Sequence, residues 1–579
     1  MNEDFLQSED QSEDQSEHQS KHPDGHNVII MSNAAKPIFC RWGNEEELGT
    51  ACSLIQALLA NTVEYGQLSS IRTKNKKQYV FLNVGSLTLV SIISNQGSNN
   101  VEGGSFLFQR LCLELIYTNI IFTLTNHVHK IFEMRPNFDL RAILGEETEN
   151  MFRSILNNAG PFRTLTNRNN KVNLVCQPFF SSSVEVLYPI PFKIRNNISN
   201  IISVATNVKN IHVMFGILMV KGQKLVTFVQ KIRQCDNQQH HKVDHHYCVH
   251  NSDLHLILNF FTCLPLQNEC FLPICLPRLD SSGFVYAYHL CLDIKIEMRL
   301  ILISSRNGDE EFGLLRNSAI DIRQKLGFEQ LKDSIIYESK SHATTSLTMI
   351  NSSPTNSGID MKKCDIKEDT TLIHAIRLSL QPNVQEKMVK HYHQISSALH
   401  FVFLYNSPIL TEQQQQQHYY QQKEENKSSV VFSQCLNPPI TNSSNTLCKR
   451  RVWNNYQNLY LKLRLGSVSF ESTMNAFDMM FASTKDRGAY KTEEEDTNCN
   501  CLSALTLLES PPFPFHGVTY ILESTEMFMG LNGDDFELYV TLPATLLPKD
   551  GALLCAKLIR RIISDRKILF LEVPFTLQS

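Results

Sequence analysis

The sequence predicts an α+β fold repeated three times along the chain, each unit a β-sheet flanked by helices. Short runs rich in β-branched and aromatic residues recur throughout, with turn-type residues between them. These runs come in groups followed by long helical patterns, so strands and helices segregate instead of alternating as in a parallel sheet. The chain has 579 residues, more than one core holds, and at about 150 residues per domain that length suggests three or four units.

The elements follow in order. Residues 1 to 26 repeat Ser, Glu, Asp and Gln with nothing to bury and read as a disordered acidic tail. "NVIIMSN" and "PIFCRW" are strands, and "GNEEELGTACSLIQALLANTVEY" is a helix. Asn44 and Glu47 form its capping pair, and Leu48, Cys52, Ile55 and Leu59 fall on one face. "SIRTKNKKQYVFLNVGSLTLVSIIS" gives strands that turn near Lys74 to Lys77 and at Gly85. In "FLFQRLCLELIYTNIIFTLTNHVHKIFE" a stripe from Leu111 through Ile120 to Phe132 predicts one long helix.

A second unit reads as strand "VNLVCQPF", helix "FKIRNNISNIISVATNV", strands "HVMFGILMV" and "KLVTFVQKI", helix "NSDLHLILNFFTCL", strands "FVYAYHLCL" and "MRLILISS", and a helix from Phe312 to Leu331. Ser, Thr, Asn and Lys then dominate a linker. A third unit opens at "SALHFVFLYN", is interrupted by a Gln-rich insertion, and resumes with the helix "RRVWNNYQNLYLKLR". The hairpin "MFMGLNGDDFELYVTL", turning at Asn532-Gly533, and the helix "KDGALLCAKLIRRIISD" close it. The boundaries are 1–26 for the tail, 27–155 and 170–332 for the first two units, 333–397 for a partly disordered linker and 398–579 for the third, with the insertion at about 411–430.

Composition excludes several classes. A net charge of −4 is too small for a nucleic-acid binder. No apolar run reaches the roughly 18 residues of a membrane span, and the acidic start is the opposite of a signal peptide; the expectation is a cytoplasmic protein. The sixteen cysteines are scattered, most within apolar stretches, and read as buried thiols in a reducing compartment. Phosphate-loop, dinucleotide, zinc-protease and nucleophile-elbow motifs are all missing, which argues against a classical enzyme and against a cofactor.

Two features invite a functional reading. Five histidines and a cysteine crowd residues 240–250, and His241 and His245, like His246 and His250, have the spacing of one helix face. With Gln-Gln before them, Lys242 among them and no completing ligand set, they read as a polar connecting loop, and no metal site is assigned. Two basic groups stand out: Lys449, Arg450 and Arg451, and Lys557, Arg560 and Arg561, the latter opposite Leu554, Leu558 and Ile562 on one helix. They fit docking on anionic headgroups, at about 1 kcal/mol per residue, or a solvated helix face.

Longer strings carry a resemblance. "KPIFCRWGNEEELGTACSLIQALLANTVE", "IRTKNKKQYVFLNVGSLTLVSI", "HKIFEMRPNFDLRAILGEETENMFRSIL", "NSDLHLILNFF", "FLPICLPRLDSSGFVYAYHLCLD" and "FELYV" resemble the vacuolar fusion protein Mon-one family, densely over 27–330 and more thinly from 398 onward. The resemblance implies three longin-type domains, antiparallel sheets flanked by helices. It implies a heterodimer with a Ccz-family protein that acts as guanine nucleotide exchange factor for the late-endosomal Rab-seven GTPase, in endosome maturation and in fusion with the vacuole or lysosome, autophagosomes included. It also implies peripheral recruitment to those membranes by phosphoinositides and an upstream early-endosomal Rab. The implied surface for Rab or Ccz lies on the first domain at Ile38, Phe39, Trp42, Glu46, Glu47 and Gln56.

The chain departs from the family pattern in three places: a longer, histidine-rich loop at 230–250, the Gln-rich insertion, and Trp42 where a tyrosine is common. The competing reading is a longin-based adaptor or tether without exchange activity, because a fold does not fix a function.

Overall fold

The computed structural model describes residues 26–43, 45–62, 68–74, 77–94, 106–136, 138–158, 183–207, 211–231, 249–266, 269–327, 372–408, 431–436, 515–571 and 575–577, and single residues between 452 and 463. The acidic tail, "VNLVCQPF", residues 232–248 of the histidine-rich run, the Gln-rich insertion, Asn44, Lys449, Arg450 and Arg451 lie outside them.

In the first unit β1 (His26–Ser32), β2 (Pro37–Cys40), β3 (Ser70–Arg72), β4 (Lys77–Val84) and β5 (Leu87–Ser94) form an antiparallel sheet in the order β2-β1-β5-β4-β3. Helix α1 (Glu45–Thr62) covers one face, packing Cys52, Ile55 and Leu59 on Ile29, Met31, Phe81 and Val90. Helices α2 (Phe106–Leu124), α3 (His127–Met134) and α4 (Arg141–Asn158) are the other layer. The single long helix expected from Phe106 to Glu133 is broken: Thr125 takes a left-handed φ of 63°, and α3 starts anew beyond it. Gly145, at φ 68°, kinks α4.

The second sheet runs β17-β8-β7-β11-β10-β9, its first strand, β17, being Phe575–Leu577. Its own strands are β7 (Val213–Val220), β8 (Lys224–Lys231), β9 (Cys270–Leu276), β10 (Asp280–Asp293) and β11 (Met298–Ser304). Helix α6 (Asn251–Cys263) faces the first unit, while α5 (Phe192–Thr206) and α7 (Asp309–Lys325) cover the opposite side. One core therefore runs from Val28 and Leu89 of the first sheet through Ile116 and Phe152, past Leu254 and Phe261, to Ile217 and Ile301 of the second.

The linker expected at 333–397 is helical at its end: α8 (Leu372–Ser379) buries Ile373 and Ile376 in the second unit's core, and α9 (Pro382–Ser396) buries Met388 and Tyr392 in the third. The third sheet has the order β14-β15-β16-β12-β13-β6, from β6 (Val184–Glu185), β12 (His400–Pro408), β13 (Val431–Leu436), β14 (Phe515–Leu522), β15 (Glu526–Gly533) and β16 (Phe536–Pro543). Helices α10 (Pro548–Ser564) and α11 (Arg566–Leu569) follow. The hairpin turns at Asp534-Asp535, not Asn532-Gly533, because Asn532 is still paired with Glu537 in register with Leu531 and Leu538. The two outermost strands are exchanged between units. β6 (Val184–Glu185) precedes the second unit yet pairs parallel to β13, and β17 (Phe575–Leu577) ends the third yet pairs parallel to β8.

Candidate functional site

The surface implied on the first domain is β2, at the open end of its sheet, and the helix that follows. Asn27 fixes the reversal between them: its side chain donates to the Trp42 carbonyl at 2.8 Å and accepts from the Trp42 N–H at 3.1 Å. Arg41 donates to the His26 carbonyl, and its guanidinium lies 5.2 Å from the Trp42 ring centre. His26, inside the sheet, hydrogen-bonds Ser91 at 2.9 Å. Burial, with Arg41 beside it, pushes its imidazole down to about 3.

Ile38 and Phe39, expected at the interface, are core residues, each only 4% exposed. Phe39 meets Phe152 edge-on at 5.3 Å, with Arg153 over its ring. A short edge strand closed by helices on one side buries more of itself than its end position suggests. Trp42 is half-buried and Gln56 is half-buried, the latter with a side-chain oxygen that meets no donor among the described residues. Glu46 and Glu47 lie within α1, but their side chains are outside the described residues.

What the sequence reading missed is the outer face of α1. Leu54 is 72% exposed and Leu58 39%. They lie four apart, with exposed Ala57 beside them at helical spacing, so α1 carries a second apolar stripe away from its core face. The signal was present as a row of apolar residues at 51, 54 and 58 alongside the core row at 48, 52, 55 and 59. Such a stripe next to an open sheet edge suits another folded chain better than a small molecule.

The other candidates divide. Lys557 and Arg560 are exposed on α10, but Arg561 is partly buried and donates to Asp565 at 2.9 Å, a carboxylate that also accepts from the Tyr392 hydroxyl at 3.0 Å. Asp565 thus ties the end of α10 to α9, and Arg561, held on that carboxylate, is not part of a free basic face. His250 caps α6: its Nδ1 accepts from the Ser252 N–H, and burial, helped by Arg278, pushes the ring down to about 4. That nitrogen is committed to the helix. Among the described residues no group of three His, Cys, Asp or Glu could hold a metal ion, and no helix is long and apolar enough to cross a membrane.

Comparison with known proteins places these surfaces in context. Residues 26–155 match the model described as the first longin domain of FUZ, MON1 and HPS1, and residues 211–316 match the second. The vacuolar fusion protein MON1 homolog A of Gallus gallus is 27% identical over 288 residues, 49% of this chain and 45% of the relative. The Arabidopsis thaliana MON1 homolog is 25% identical over 312 residues, 54% of this chain and 44% of the relative. The Saccharomyces cerevisiae vacuolar fusion protein MON1 is 25% identical over 325 residues, 53% of this chain and 45% of its own length. The two longin matches and relatives named MON1 in animals, plants and yeast support a MON1-family member. It spans about half the length of the relatives it matches. Over residues 26–155 and 211–316 it is a longin-domain protein. The apolar stripe of α1 and the edge β2 both belong to the first longin domain.

Proposed function

We propose that this chain is one subunit of a heterodimeric guanine nucleotide exchange factor for a late-endosomal Rab GTPase. Its partner is a Ccz-family longin protein, and the pair acts in endosome maturation and in fusion with the vacuole, lysosome and autophagosome. The observation that carries the reading is the exposed Leu54, Ala57 and Leu58 stripe beside edge strand β2, an apolar surface on a domain whose core is already filled. Trp42, Gln56, Glu46 and Glu47 belong to the same strand end and helix and are kept in the proposed partner surface.

Exchange is differential binding: a surface that fits the nucleotide-free GTPase better than the loaded one lowers the barrier to nucleotide loss. Such a mechanism asks for a shaped, rigid face and not for a catalytic side chain or cofactor. The three domains of the reading take the boundaries 27–155, 170–332 and 398–579. Peripheral recruitment rests on Lys557 and Arg560, with Lys449, Arg450 and Arg451, facing anionic or phosphoinositide headgroups, and on an upstream early-endosomal Rab.

The test loads the Rab with fluorescent GDP and follows its release with this chain, with the Ccz partner, and with both on anionic vesicles. Faster release by the pair alone supports the proposal. Rab binding by the pair without any acceleration would replace it with the tether reading.

A further inference from the structure

The string "NSDLHLILNFF" is not used by the proposed partner surface, yet its third residue makes an unusual set of contacts. Asp253, in the first turn of α6, is fully buried. Its carboxylate faces the turn between β9 and β10: the Arg278 N–H donates to both oxygens, at 3.2 and 3.1 Å, and the Leu279 N–H donates to Oδ2 at 3.1 Å. A buried carboxylate is costly unless its lone pairs are met, and here backbone amides of one turn meet them. The turn is closed further by Leu279 donating to the Leu276 carbonyl and by the Cys275 thiol donating to the Asp280 carbonyl.

The far side of the same turn touches the first domain. The Asn126 N–H donates to the Ser281 carbonyl at 2.8 Å, and the Asn126 side chain donates to the Ser281 hydroxyl at 3.2 Å. Asn126 is the corner between α2 and α3, just after left-handed Thr125. From that corner His129 accepts the Ser86 N–H and meets the Tyr117 hydroxyl, so it also holds the β4–β5 turn. Beside this seam Phe122 of α2 lies 5.3 Å from Phe260 of α6.

We infer that Asp253 is a latch between the two longin domains: it sets the conformation of the turn Leu276–Ser281, which in turn seats the α2–α3 corner of the first domain on the second. Burial pushes the Asp253 carboxyl up to about 7, against the pull of the two amides and of Arg278. His250, capping the same helix, Cys275, near the end of β9, and Arg278 and Asp280, on the turn itself, are the other titratable groups at this place.

Hydrogen exchange on the full chain, read by peptide, tests this with Asp253→Ala, Asp253→Asn and Asn126→Ala. The asparagine keeps a carbonyl where Oδ2 accepts both amides, so it should hold the turn nearly as the wild type does. Asp253→Ala should speed exchange about tenfold or more, the loss of one ordinary hydrogen bond, in peptides over 276–282 and also over 121–130 of the first domain. Peptides of β7 and β11 should keep their protection. Asn126→Ala, which removes the side-chain bond to the Ser281 hydroxyl, should loosen 121–130 and leave 276–279 protected; should Asp253→Ala fail to fold, Asp253→Ser, too short to reach both amides, takes its place with the same expected pattern. Unchanged exchange over 121–130 in Asn126→Ala, or equal loosening of β7, β11 and the turn in Asp253→Ala, would overturn the inference.

Discussion

Replacing Lys224 with Met should destabilise the second and third units together. The segment Ser183–Ile190 is buried along its whole length. It pairs Glu185 with Cys435 of the third sheet, and by Leu187 its N–H already donates to the Leu225 carbonyl of the second. At this crossing Glu185 and Lys224 lie 3.1 Å apart with side chains 7% and 5% exposed, and the ammonium stands 5.4 Å from the Tyr188 ring centre. Among the described residues Glu185 Oε1 has no aligned donor, so the pair is held by charge more than by hydrogen-bond geometry. Removing one member strands a buried charge, at a cost of about 3–5 kcal/mol, whereas replacing both with apolar groups is close to neutral. Lys224→Met and Glu185→Leu should therefore each lower the folding constant by roughly 150-fold or more, while the double variant returns to within about 1 kcal/mol of wild type. Urea melts of the four proteins, followed by tyrosine fluorescence and circular dichroism, measure the cycle. Singles that melt like wild type, or a double variant equal to the sum of the singles, would show that the pair is not the key at this crossing.

Arginine in place of both Leu54 and Leu58 should abolish pairing with the Ccz protein or the Rab in a pull-down while the melting temperature stays within a few degrees, because both side chains already face solvent; a large loss of stability would place them in the core instead. Lys557→Glu with Arg560→Glu should weaken binding to anionic vesicles without changing stability, whereas Arg561→Ala should lower stability by about 1–3 kcal/mol through loss of its bond to the buried Asp565 carboxylate, read by thermal melting. Arg195 is buried and donates to the carbonyls of Leu187 and Val226, so Arg195→Met should cost about 2–4 kcal/mol by orphaning both in the same melt. Burial pushes His26 to about 3, and His250 and His255 to about 4, all below their unfolded value. Their stabilisation is thus complete above pH 6.5 and fades as pH falls toward 4, by up to about 3 kcal/mol each, partly offset by Asp253, whose raised carboxyl gains stability as pH falls from 7 to 4. A melting temperature that stays flat from pH 7 to 4.5 would contradict that balance.

Much of the α+β layout was legible because local pattern and burial agree. In α1 the row Cys52, Ile55 and Leu59 is the row that packs, and in β4 and β5 the β-branched residues are the paired ones. Where the reading failed, the deciding contact was distant in sequence. Nothing near Thr125 breaks the apolar stripe that runs on to Val128 and Phe132; the corner exists because the second domain's turn meets it. Strand β9 contains Pro273, which reads as a strand breaker, but the strand is at the sheet edge, where a missing N–H costs little. The exchanged strands β6 and β17 are two and three residues long and have no pattern of their own. At the site, Ile38 and Phe39 have the composition of an interface but are consumed by the core, while Leu54 and Leu58, outside the core row of the same helix, face solvent.

Helix α2 explains why such distant contacts matter to the proposed function. Leu113, Ile116 and Ile120 belong to the core shared by the first and second sheets. Leu111 and Cys112, one turn earlier, join Ile93 in a cluster with Tyr456, Tyr460 and Tyr539 of the third unit. One helix of the first domain thus touches all three units. A partner that pushes on α1 or β2 meets a sheet whose opposite face is packed against that helix, so the push cannot be relieved locally without opening a core that three units share. For an exchange factor this has a direct use: the free energy of binding is then spent on deforming the softer switch region of the GTPase and not on deforming the factor. If so, loosening the Asp253 latch should slow nucleotide release by the pair more than it weakens binding of the loaded Rab, since only the first of these depends on the platform staying rigid.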